Sequence, residues 1–502
     1  PFGLTTAPRV FTKLMKPVVA MLRQRGVRLI IYLDDMLIMA GSTSLALHYA
    51  ASALNLLEGL GFVVNYHKSQ LIPSQQIEFL GFLVDSVTLS LQRPGEKLRK
   101  IRKRCQQLLN VGETSIRELS KFLGLLTFSV QAVFPAPLHY RHLQRLKNLN
   151  LNTLQSYNAI IPLDSRARIV WWRDHLQAWN GKALFHKSVD LVIETDASRK
   201  GWGAYCEGVS TGGPWCTNEQ RLHINSLELL AGSFAIKTFC KERVIAHVKL
   251  LMDNVSAVAY INKMGGTHSQ TLANLAIDLW NWCLDQKIHV SAEHLPGDLN
   301  LRADRESRVI TDSSDWKLNP AFFKILVQKW GPLQVDLFAT RLTFQLPRFV
   351  SWKPDPHAVA TDAFLMNWGD IRGYAFPPFA LIGRCLQQVM TQNVDHLVLV
   401  APVWPAQPWY PVLLHLAVDK PLLLPVTPEL LMKDNQAHPL TNLQLAGWVL
   451  SASAIKQQAF RQTLEIFCWQ HGEETPPVPT LVPGTNGLAG VVNNKLIPFQ
   501  LP

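Results

Sequence analysis

Between residues 196 and 304, the sequence places four acidic residues inside or at the end of apolar segments. They are Asp196, Glu228, Asp253 and Asp304. An unpaired carboxylate is costly to bury, so buried acids are usually paired or bound to a metal ion. The pattern predicts that the fold brings the four acids together in one cation site. For any one of them alone, the alternative is an ordinary acid at a strand end or a helix start.

Segment order in this stretch predicts a mixed α/β sheet: three strands, a helix, a strand, helices, a strand and a last helix. Asp196 is expected on the first strand, and Asp253 at the end of the strand at 248–252. Glu228 is expected in the first turn of a helix that Asn225 caps. Asp304 begins or precedes the last helix. Strand ends and helix starts of this kind can meet at one end of a sheet.

The chemistry of four clustered carboxylates indicates a hard divalent cation. Like charges so close together repel strongly unless cations neutralise them. Oxygen ligands suit Mg²⁺ or Mn²⁺ and do not suit zinc. Two such ions about 4 Å apart can activate water and stabilise the leaving oxygen of a phosphodiester. A two-metal site for phosphodiester hydrolysis is therefore expected here.

Three motifs around these acids resemble those of ribonuclease H. They are Thr195-Asp196-Ala197-Ser198, Gly201-Trp202-Gly203 and Asn300-Leu301-Arg302-Ala303-Asp304. The resemblance implies an RNA–DNA hybrid as substrate, recognised through its minor groove, 2′-hydroxyls and phosphates. It also implies that His294, ten residues before Asp304 (304 − 294), assists proton transfer or product release. Asn254 is a candidate contact to the nucleic acid.

The first 93 residues contain an adjacent acidic pair, Asp34 and Asp35, between apolar runs. This pattern predicts a β-hairpin with the pair at its tip. The alternative is a polar turn without function. The surrounding motifs resemble those of reverse transcriptases, namely Pro1–Pro8, Tyr32-Leu33-Asp34-Asp35, Gly61-Phe62 with Lys68-Ser69, and Glu78–Phe82. The resemblance implies a palm over residues 1–93, with Asp34 and Asp35 as metal ligands that act on an RNA template.

The third catalytic aspartate of that family is expected before residue 1. The chain is therefore interpreted as a fragment that does not polymerise DNA by itself. Residues 94–188 are expected to form a thumb and connection, with Ser115 capping a helix at 115–130. One basic cluster there can track a phosphate backbone, or it can be a solvated helix face. It comprises Lys97, Arg99, Lys100, Arg102, Lys103 and Arg104.

Composition bounds the partners. The net charge of +12 suits a polyanion such as RNA or DNA, or simply a basic soluble protein. Seven cysteines form no C-x-x-C pair, which favours a reducing, intracellular compartment without a disulfide framework. No apolar run is long enough to predict a membrane span. The oligomeric state is not predicted.

Residues 311–470 alternate strands and helices and are expected to form a doubly wound α/β domain. Asp336 and Phe376-Pro377-Pro378 resemble motifs of adenine-N6 DNA methyltransferases, which implies S-adenosylmethionine as a cofactor. Phe376, however, cannot accept a hydrogen bond from an exocyclic amine. A degenerate or structural domain is therefore the favoured interpretation over an active methyltransferase. Residues 471–502 are expected to be a flexible tail.

The fold class is thus multidomain α/β and α+β, with ribonuclease H over residues 189–310. The order reverse transcriptase, ribonuclease H, methyltransferase-like domain resembles DIRS-like retrotransposon polyproteins, which use a tyrosine recombinase. The function implied is ribonuclease H activity dependent on Mg²⁺. The alternative is a non-catalytic relic that only binds nucleic acid.

Overall fold

A computed structural model describes residues 4–164, 166–185, 188–309, 316–433, 439–440, 442–466 and 487–502. The chain divides into two compact units. One comprises Pro1–Ser188 with Lys263–Ile277, and the other Val189–Asn262 with Asp278–Pro502. None of the described helices is both long and apolar enough to cross a membrane.

Among its described residues, the N-terminal region contains two α-helices and five strands, with a short 3-10 helix at Tyr66–Lys68. They are α1 (Ala7–Gln24), β1 (Arg28–Tyr32), β2 (Asp35–Met39), α2 (Thr43–Gly59), β3 (Gln76–Phe79), β4 (Phe82–Asp85) and β5 (Ser90–Gln92). The predicted hairpin is confirmed, because β1 and β2 are antiparallel and Tyr32 pairs with Asp35. Leu22 and Leu29 lie in the small core between this hairpin and the helices. The first three residues of the Pro-Phe-Gly motif lie outside the described residues.

Residues 94–188 form a helical bundle with three short strands. They are α3 (Gly95–Val111), β6 (Glu113–Ser115), α4 (Ile116–Ser129), α5 (Ala136–Leu154), β7 (Ile160–Pro162), α6 (Arg166–His175) and β8 (Lys182–Ala183). The predicted cap of α4 is confirmed, because the Ser115 hydroxyl accepts a hydrogen bond from the Glu118 amide at 3.2 Å. Leu98, Phe122 and Trp172 are fully buried between the helices.

Residues 189–309 form the mixed sheet that the sequence predicts. The elements are β9 (Leu191–Ala197), β10 (Gly201–Cys206), β11 (Val209–Pro214), α7 (Thr217–Gln220), α8 (Ile224–Cys240), β12 (His247–Met252), α9 (Val255–Asn262), α10 (Gln270–Asp285), β13 (His289–His294) and α11 (Leu301–Arg308). The strand order is β11-β10-β9-β12-β13. The first three strands are antiparallel, and β9, β12 and β13 run parallel.

The C-terminal domain contains four helices and eleven strands among its described residues. They are β14 (Lys317–Leu318), α12 (Pro320–Trp330), β15 (Val335–Asp336), β16 (Val350–Ser351), β17 (Ala360–Thr361), β18 (Gly373–Ala375), α13 (Ile382–Thr391), β19 (Leu397–Pro402), α14 (Tyr410–Leu416), β20 (Leu422–Leu423), β21 (Leu431–Met432), β22 (Leu445–Leu450), α15 (Ala454–Gln462), β23 (Leu488–Val492) and β24 (Lys495–Pro498).

The main sheet of this domain has the strand order β15-β18-β19-β22-β20. A parallel bridge from Asp336 to Phe349 adds the pair β16 and β17 on the other side of β15. The chain therefore winds outward in both directions from β15 and β18. Alternate residues of β19 enter two cores, with Leu399 in one and Val398 in the other. The predicted doubly wound sheet is confirmed, with β22 as an antiparallel member.

The prediction of a flexible tail over 471–502 is wrong for its described part. Residues 488–498 form the hairpin β23–β24, and Gly490 lies against the side chain of Leu414. The Tyr410 hydroxyl donates a hydrogen bond to the Ala489 carbonyl at 3.1 Å. These apolar and polar contacts hold the hairpin on the domain. Residues 471–486 lie outside the described residues.

Candidate active site

Strand pairing brings the first and third predicted acids together. Asp196 lies one residue before the end of β9, and Asp253 directly follows β12. These strands are parallel, and Val248 pairs with Leu191. The same offset of 57 residues (248 − 191) sets Asp253 beside Asp196 (196 + 57). The register of two neighbouring strands therefore fixes this acidic pair.

Helix α8 supplies the second predicted acid. It begins after His223, whose ring Nδ1 accepts a hydrogen bond from the Asn225 amide at 3.2 Å. The prediction that Asn225 is the cap is therefore wrong, and the helix starts two residues earlier. Glu228 is buried on the side of α8 that packs against β9 and β10. One ligand oxygen each from Asp196, Glu228 and Asp253 lies within 4.8 Å of the other two.

The crowding of these carboxylates changes their proton affinity. Burial raises the pKa of Glu228 to about 9, and the charges of Asp196 and Asp253 add to the effect. Burial also raises the pKa of Asp196, against a hydrogen bond from Ser307 that lowers it. Glu228 Oε2 is buried and has no hydrogen-bond partner among the described residues. An orphaned oxygen beside two further carboxylates is the donor set that a hard divalent cation requires.

Asp304, the fourth predicted acid, lies beside this group and outside it. It sits on α11, where its Oδ1 accepts a hydrogen bond from the Arg308 guanidinium at 2.6 Å. Its side chain is one-third exposed. Its negative charge nevertheless contributes to the raised pKa of Asp196. The structure therefore brings three of the four acids close together, whereas the fourth forms an ion pair with Arg308.

Ser307 is a residue of this site that the sequence analysis missed. It is fully buried, and its hydroxyl donates a hydrogen bond to Asp196 Oδ2 at 2.6 Å. This bond fixes the orientation of the Asp196 carboxylate. The signal was present in the sequence, because Ser307 and Arg308 follow Asp304 by three and four residues on a helix. Side chains at this spacing share a helix face.

Helix α11 lies directly on the backbone of the sheet. A Cβ atom at Gly203 would lie 2.1 Å from the Ala303 carbonyl oxygen, so only glycine fits there. The Ser198 hydroxyl donates to the Ser307 carbonyl at 2.6 Å. The buried Asn300 amide donates to the Thr195 carbonyl at 2.8 Å. The motif glycine thus allows the helix that carries Asp304 to reach the strand that carries Asp196.

His294 and Asn254 lie at the same end of the sheet as Asp253. His294 is the exposed last residue of β13 and pairs with Met252. The side-chain Nδ2 of Asn254 donates to Asn225 Oδ1 at 3.0 Å. The side-chain Oδ1 of Asn254 accepts from the Ala257 backbone amide at 3.0 Å. His294 is therefore open to a ligand, whereas Asn254 is engaged in capping α9 and bracing α8.

The Asp34-Asp35 pair has a different environment. Both residues are exposed at the hairpin turn, where Leu33 adopts a left-handed φ of 53°. Within the described residues, neither belongs to a group of three or more metal-ligand side chains. The turn therefore presents two ligands and does not by itself form a closed site.

The basic face of α3 is largely available. Lys97, Arg99, Lys100, Arg102 and Lys103 are exposed. Arg104 is half-buried and forms an ion pair with Glu118 on α4. Five of the six predicted cations therefore face solvent, and the sixth holds two helices together.

The predicted cofactor residues of the C-terminal domain are engaged within the protein. Asp336 is 1% exposed, and its carboxylate accepts hydrogen bonds from the amides of Gln345 at 2.9 Å and Phe338 at 3.4 Å. The Phe376 ring packs in an apolar cluster, edge-on to Phe379. Pro377 and Pro378 follow at the carboxyl end of β18. Asp336 therefore holds a loop, and the predicted contact from it to a cofactor has no support in this geometry.

Residues 1–84 match the family described as reverse transcriptase (RNA-dependent DNA polymerase). This part of the chain is thus similar in sequence to reverse transcriptases. The chain is also similar to a viral polyprotein. It is 27% identical over 322 residues to the enzymatic polyprotein of carnation etched ring virus, over 61% of this chain and 45% of that protein. The chain thus spans less than half the length of that relative.

Solved structures give weaker similarities. A foamy viral protease–reverse transcriptase in complex with an RNA/DNA hybrid is 18% identical, with a TM-score of 0.32 over 60% of this chain and 39% of that chain. Ribonuclease H1 from Halobacterium salinarum NRC-1 is 17% identical, with a TM-score of 0.20 over 23% of this chain and 92% of that chain. Both TM-scores are low, and neither similarity indicates a function for this chain.

Proposed function

We propose that this chain is the reverse transcriptase and ribonuclease H part of a retroelement polyprotein. Its site at Asp196, Glu228 and Asp253 hydrolyses the RNA strand of an RNA–DNA hybrid and requires Mg²⁺ or Mn²⁺. The observation that carries this proposal is the cluster of three carboxylates within 4.8 Å, one of which has a buried oxygen without a partner.

The residues divide the work as follows. Asp196, Glu228 and Asp253 would hold the divalent cations, which supply activation of water and stabilisation of the leaving oxygen. Ser307 orients the Asp196 carboxylate through its 2.6 Å hydrogen bond. The exposed imidazole of His294 ends the strand next to the one that Asp253 follows, so its ring nitrogens are open to the substrate or the product.

Recognition of the hybrid rests on charge and shape. A-form-like duplexes are bound through the minor groove, 2′-hydroxyls and phosphates. The net charge of +12 and the five exposed cations of α3 support backbone contact by this protein. RNA template and DNA are the further partners expected of the reverse transcriptase-like region at residues 1–84.

The proposal extends to the kind of retroelement that encodes this chain. The order of a reverse transcriptase domain, the acidic-site domain and a doubly wound domain supports a DIRS-like element. Six cysteines among the described residues are free thiols. Free thiols support a location inside the cell.

A second candidate function is binding of S-adenosylmethionine by the C-terminal domain. Its strand order reverses between β15 and β18, and doubly wound sheets bind ligands at such a point. Against it stand the engaged carboxylate of Asp336 and the phenylalanine at position 376. Titration calorimetry of the full chain with S-adenosylmethionine is expected to show no heat of binding, and a saturable signal would favour this second function.

The test of the main proposal is cleavage of an end-labelled RNA–DNA hybrid by the full chain with Mg²⁺. Asp253→Asn is expected to reduce the rate by roughly a thousandfold, the scale of a lost preorganised electrostatic contact. Asp298→Asn is the matched control, because Asp298 is exposed on the loop that follows β13. Cutting by Asp253→Asn at the wild-type rate would refute the site. Absence of cutting by the wild type would favour the non-catalytic relic.

A further inference from the structure

Two loops of the C-terminal domain contact the domain that carries the candidate active site. Both domains belong to the same compact unit. One loop follows β15 and contains Arg341, and the other follows β16 and contains residues 353–358. Parallel strands of a doubly wound sheet bind ligands at their carboxyl ends. In this protein, the loops at two of those ends bind another part of the chain.

Arg341 is the centre of the contact. Its guanidinium forms a two-pronged ion pair with Glu219, with both N–O distances at 2.9 Å, and it also donates to the Pro214 carbonyl. It lies over the ring of Phe234 at 4.9 Å. The side chain of Arg341 is only 8% exposed and that of Glu219 17%. A planar guanidinium paired in this way fixes orientation as well as charge.

The second loop adds polar contacts to the same domain. Lys241 donates from Nζ to the carbonyls of Asp355, at 3.1 Å, and Ala358. The Thr211 hydroxyl donates to the Pro354 carbonyl. The ring of His357 meets Phe234 edge-on at 5.7 Å. Phe234 is thus enclosed by one residue from each loop.

Two aspartates hold these loops in their docking shape. Asp336 accepts from the amides on either side of Arg341, at Phe338 and Gln345. Asp355 accepts from the His357 amide at 2.8 Å and from the Arg341 amide at 3.4 Å. The residue that resembles a cofactor ligand therefore shapes the loop that carries Arg341.

The docked elements are those that carry catalytic acids. Phe234 lies on α8, the helix of Glu228, and Lys241 is the C-cap of that helix. On α11, the helix of Asp304, Glu306 Oε2 pairs with Lys353 Nζ at 3.5 Å. The C-terminal domain thus contacts the two helices that bring acids to the sheet end.

We propose that the C-terminal domain is a structural partner of the nuclease-like domain, with Arg341 as a positioning residue for α8 and Lys353 as its contact to α11. Through these helices it holds Glu228 and Asp304 against Asp196. The role in cutting rests on the proposed ribonuclease function, whereas the docking itself does not. The domain therefore has a function that needs neither a methyl donor nor Phe376.

The test is hydrogen–deuterium exchange of the full chain carrying Arg341→Glu. Exchange of amides in α8 and α11 is expected to become roughly tenfold faster or more, because the buried Glu219 then faces a like charge. Amides of α13, which packs in the core of the C-terminal domain, are expected to be unchanged. Arg348→Glu is the matched control, since Arg348 is exposed on the same segment. Unchanged exchange in α8 and α11 would overturn the docking role.

A double variant that swaps the charges of the ion pair provides the second experiment. Glu219→Arg combined with Arg341→Glu is expected to restore at least part of the slow exchange, and no restoration would overturn the pairing as the cause. Hybrid cutting by Arg341→Glu is expected to lose kcat with little change in KM. Faster exchange with unaltered kcat would overturn positioning of the acids. If the wild type does not cut hybrid, the proposed function fails while the exchange result still decides the docking.

Discussion

Asp196 and Asp336 are two buried aspartates that occupy equivalent places in two different sheets. Each lies at the carboxyl end of a strand that has a parallel neighbour, and each is at most 5% exposed. Asp196 faces two other carboxylates and one hydroxyl. Asp336 faces two backbone amides of its own loop. The same residue type at the same place therefore belongs to a cluster of carboxylates in one domain and anchors a loop in the other.

The difference shows what determines the role of a buried acid. Amide donors satisfy the charge of Asp336 without any ligand. The three carboxylates around Asp196 share few donors, namely the Ser307 hydroxyl and the Ala197 amide. Burial and their mutual charges raise the pKa of Asp196 and Glu228. A buried acid thus indicates a cation only where the fold supplies more negative charge than donors. Three predictions test this contrast.

The largest effect is expected on the pH dependence of thermal stability when EDTA removes divalent cations. Burial and neighbouring charges raise the pKa of Glu228 from 4.5 to about 9. Its stabilising contribution is therefore complete below pH 4.5 and is lost as the pH rises through about 9. The thermal midpoint in EDTA is expected to fall across this window, and Mg²⁺ to reverse the fall. Glu228→Gln should flatten the profile. An equally steep profile in that variant would contradict the assignment.

Removal of the Ser307 hydroxyl is expected to have an intermediate effect. Ser307→Ala leaves the ligands intact but frees the Asp196 carboxylate to rotate. Hybrid cutting is expected to fall by about 10- to 100-fold, as is typical for residues that orient metal ligands, and the Mg²⁺ concentration for half-maximal rate to rise. Ser210→Ala on the exposed end of β11 is the control. A reduced rate with unaltered Mg²⁺ dependence would argue against orientation of a ligand.

The smallest effect on cutting is expected for the loop anchor. Asp336→Asn removes one of two acceptors, so one buried amide loses its partner at a cost of about 1–3 kcal/mol in the free energy of unfolding. Chemical denaturation measures this cost, with Asp370→Asn as the exposed control. The Mg²⁺ dependence of cutting should not change. A change in it equal to that of Ser307→Ala would erase the contrast between the two aspartates.

Much of the fold could be predicted from local signals. The strand at 248–252, the Ser115 cap and the acidic hairpin tip all lie where the sequence places them. Apolar periodicity and capping residues act over a few positions, so they can be read without tertiary information. The start of α8 was misplaced, because the imidazole of His223 caps it, and histidine is outside the usual capping set.

The residues of the site could largely be predicted from the sequence, but the hydrogen bonds and ion pairs between them could not. Three of the four acids meet because strand register and helix start bring them together. The pairing of Asp304 with Arg308, the donation from Ser307 and the engagement of Asp336 depend on which side chains the tertiary fold brings into contact. The hairpin at 488–498 was missed for the same reason, since its partner Tyr410 lies 79 residues before Ala489.

The contact of α11 with the strand β10 has a consequence for how this domain can vary. Since the two helix atoms nearest to Gly203 are the Ala303 carbonyl oxygen and the Ser307 amide nitrogen, the distance between Asp304 and Asp196 is set by main-chain atoms. Repacking of neighbouring side chains cannot alter that distance. Substitution tolerance in this part of the fold is therefore divided unevenly, with wide latitude on the outer face of α11 and almost none at the glycine beneath it.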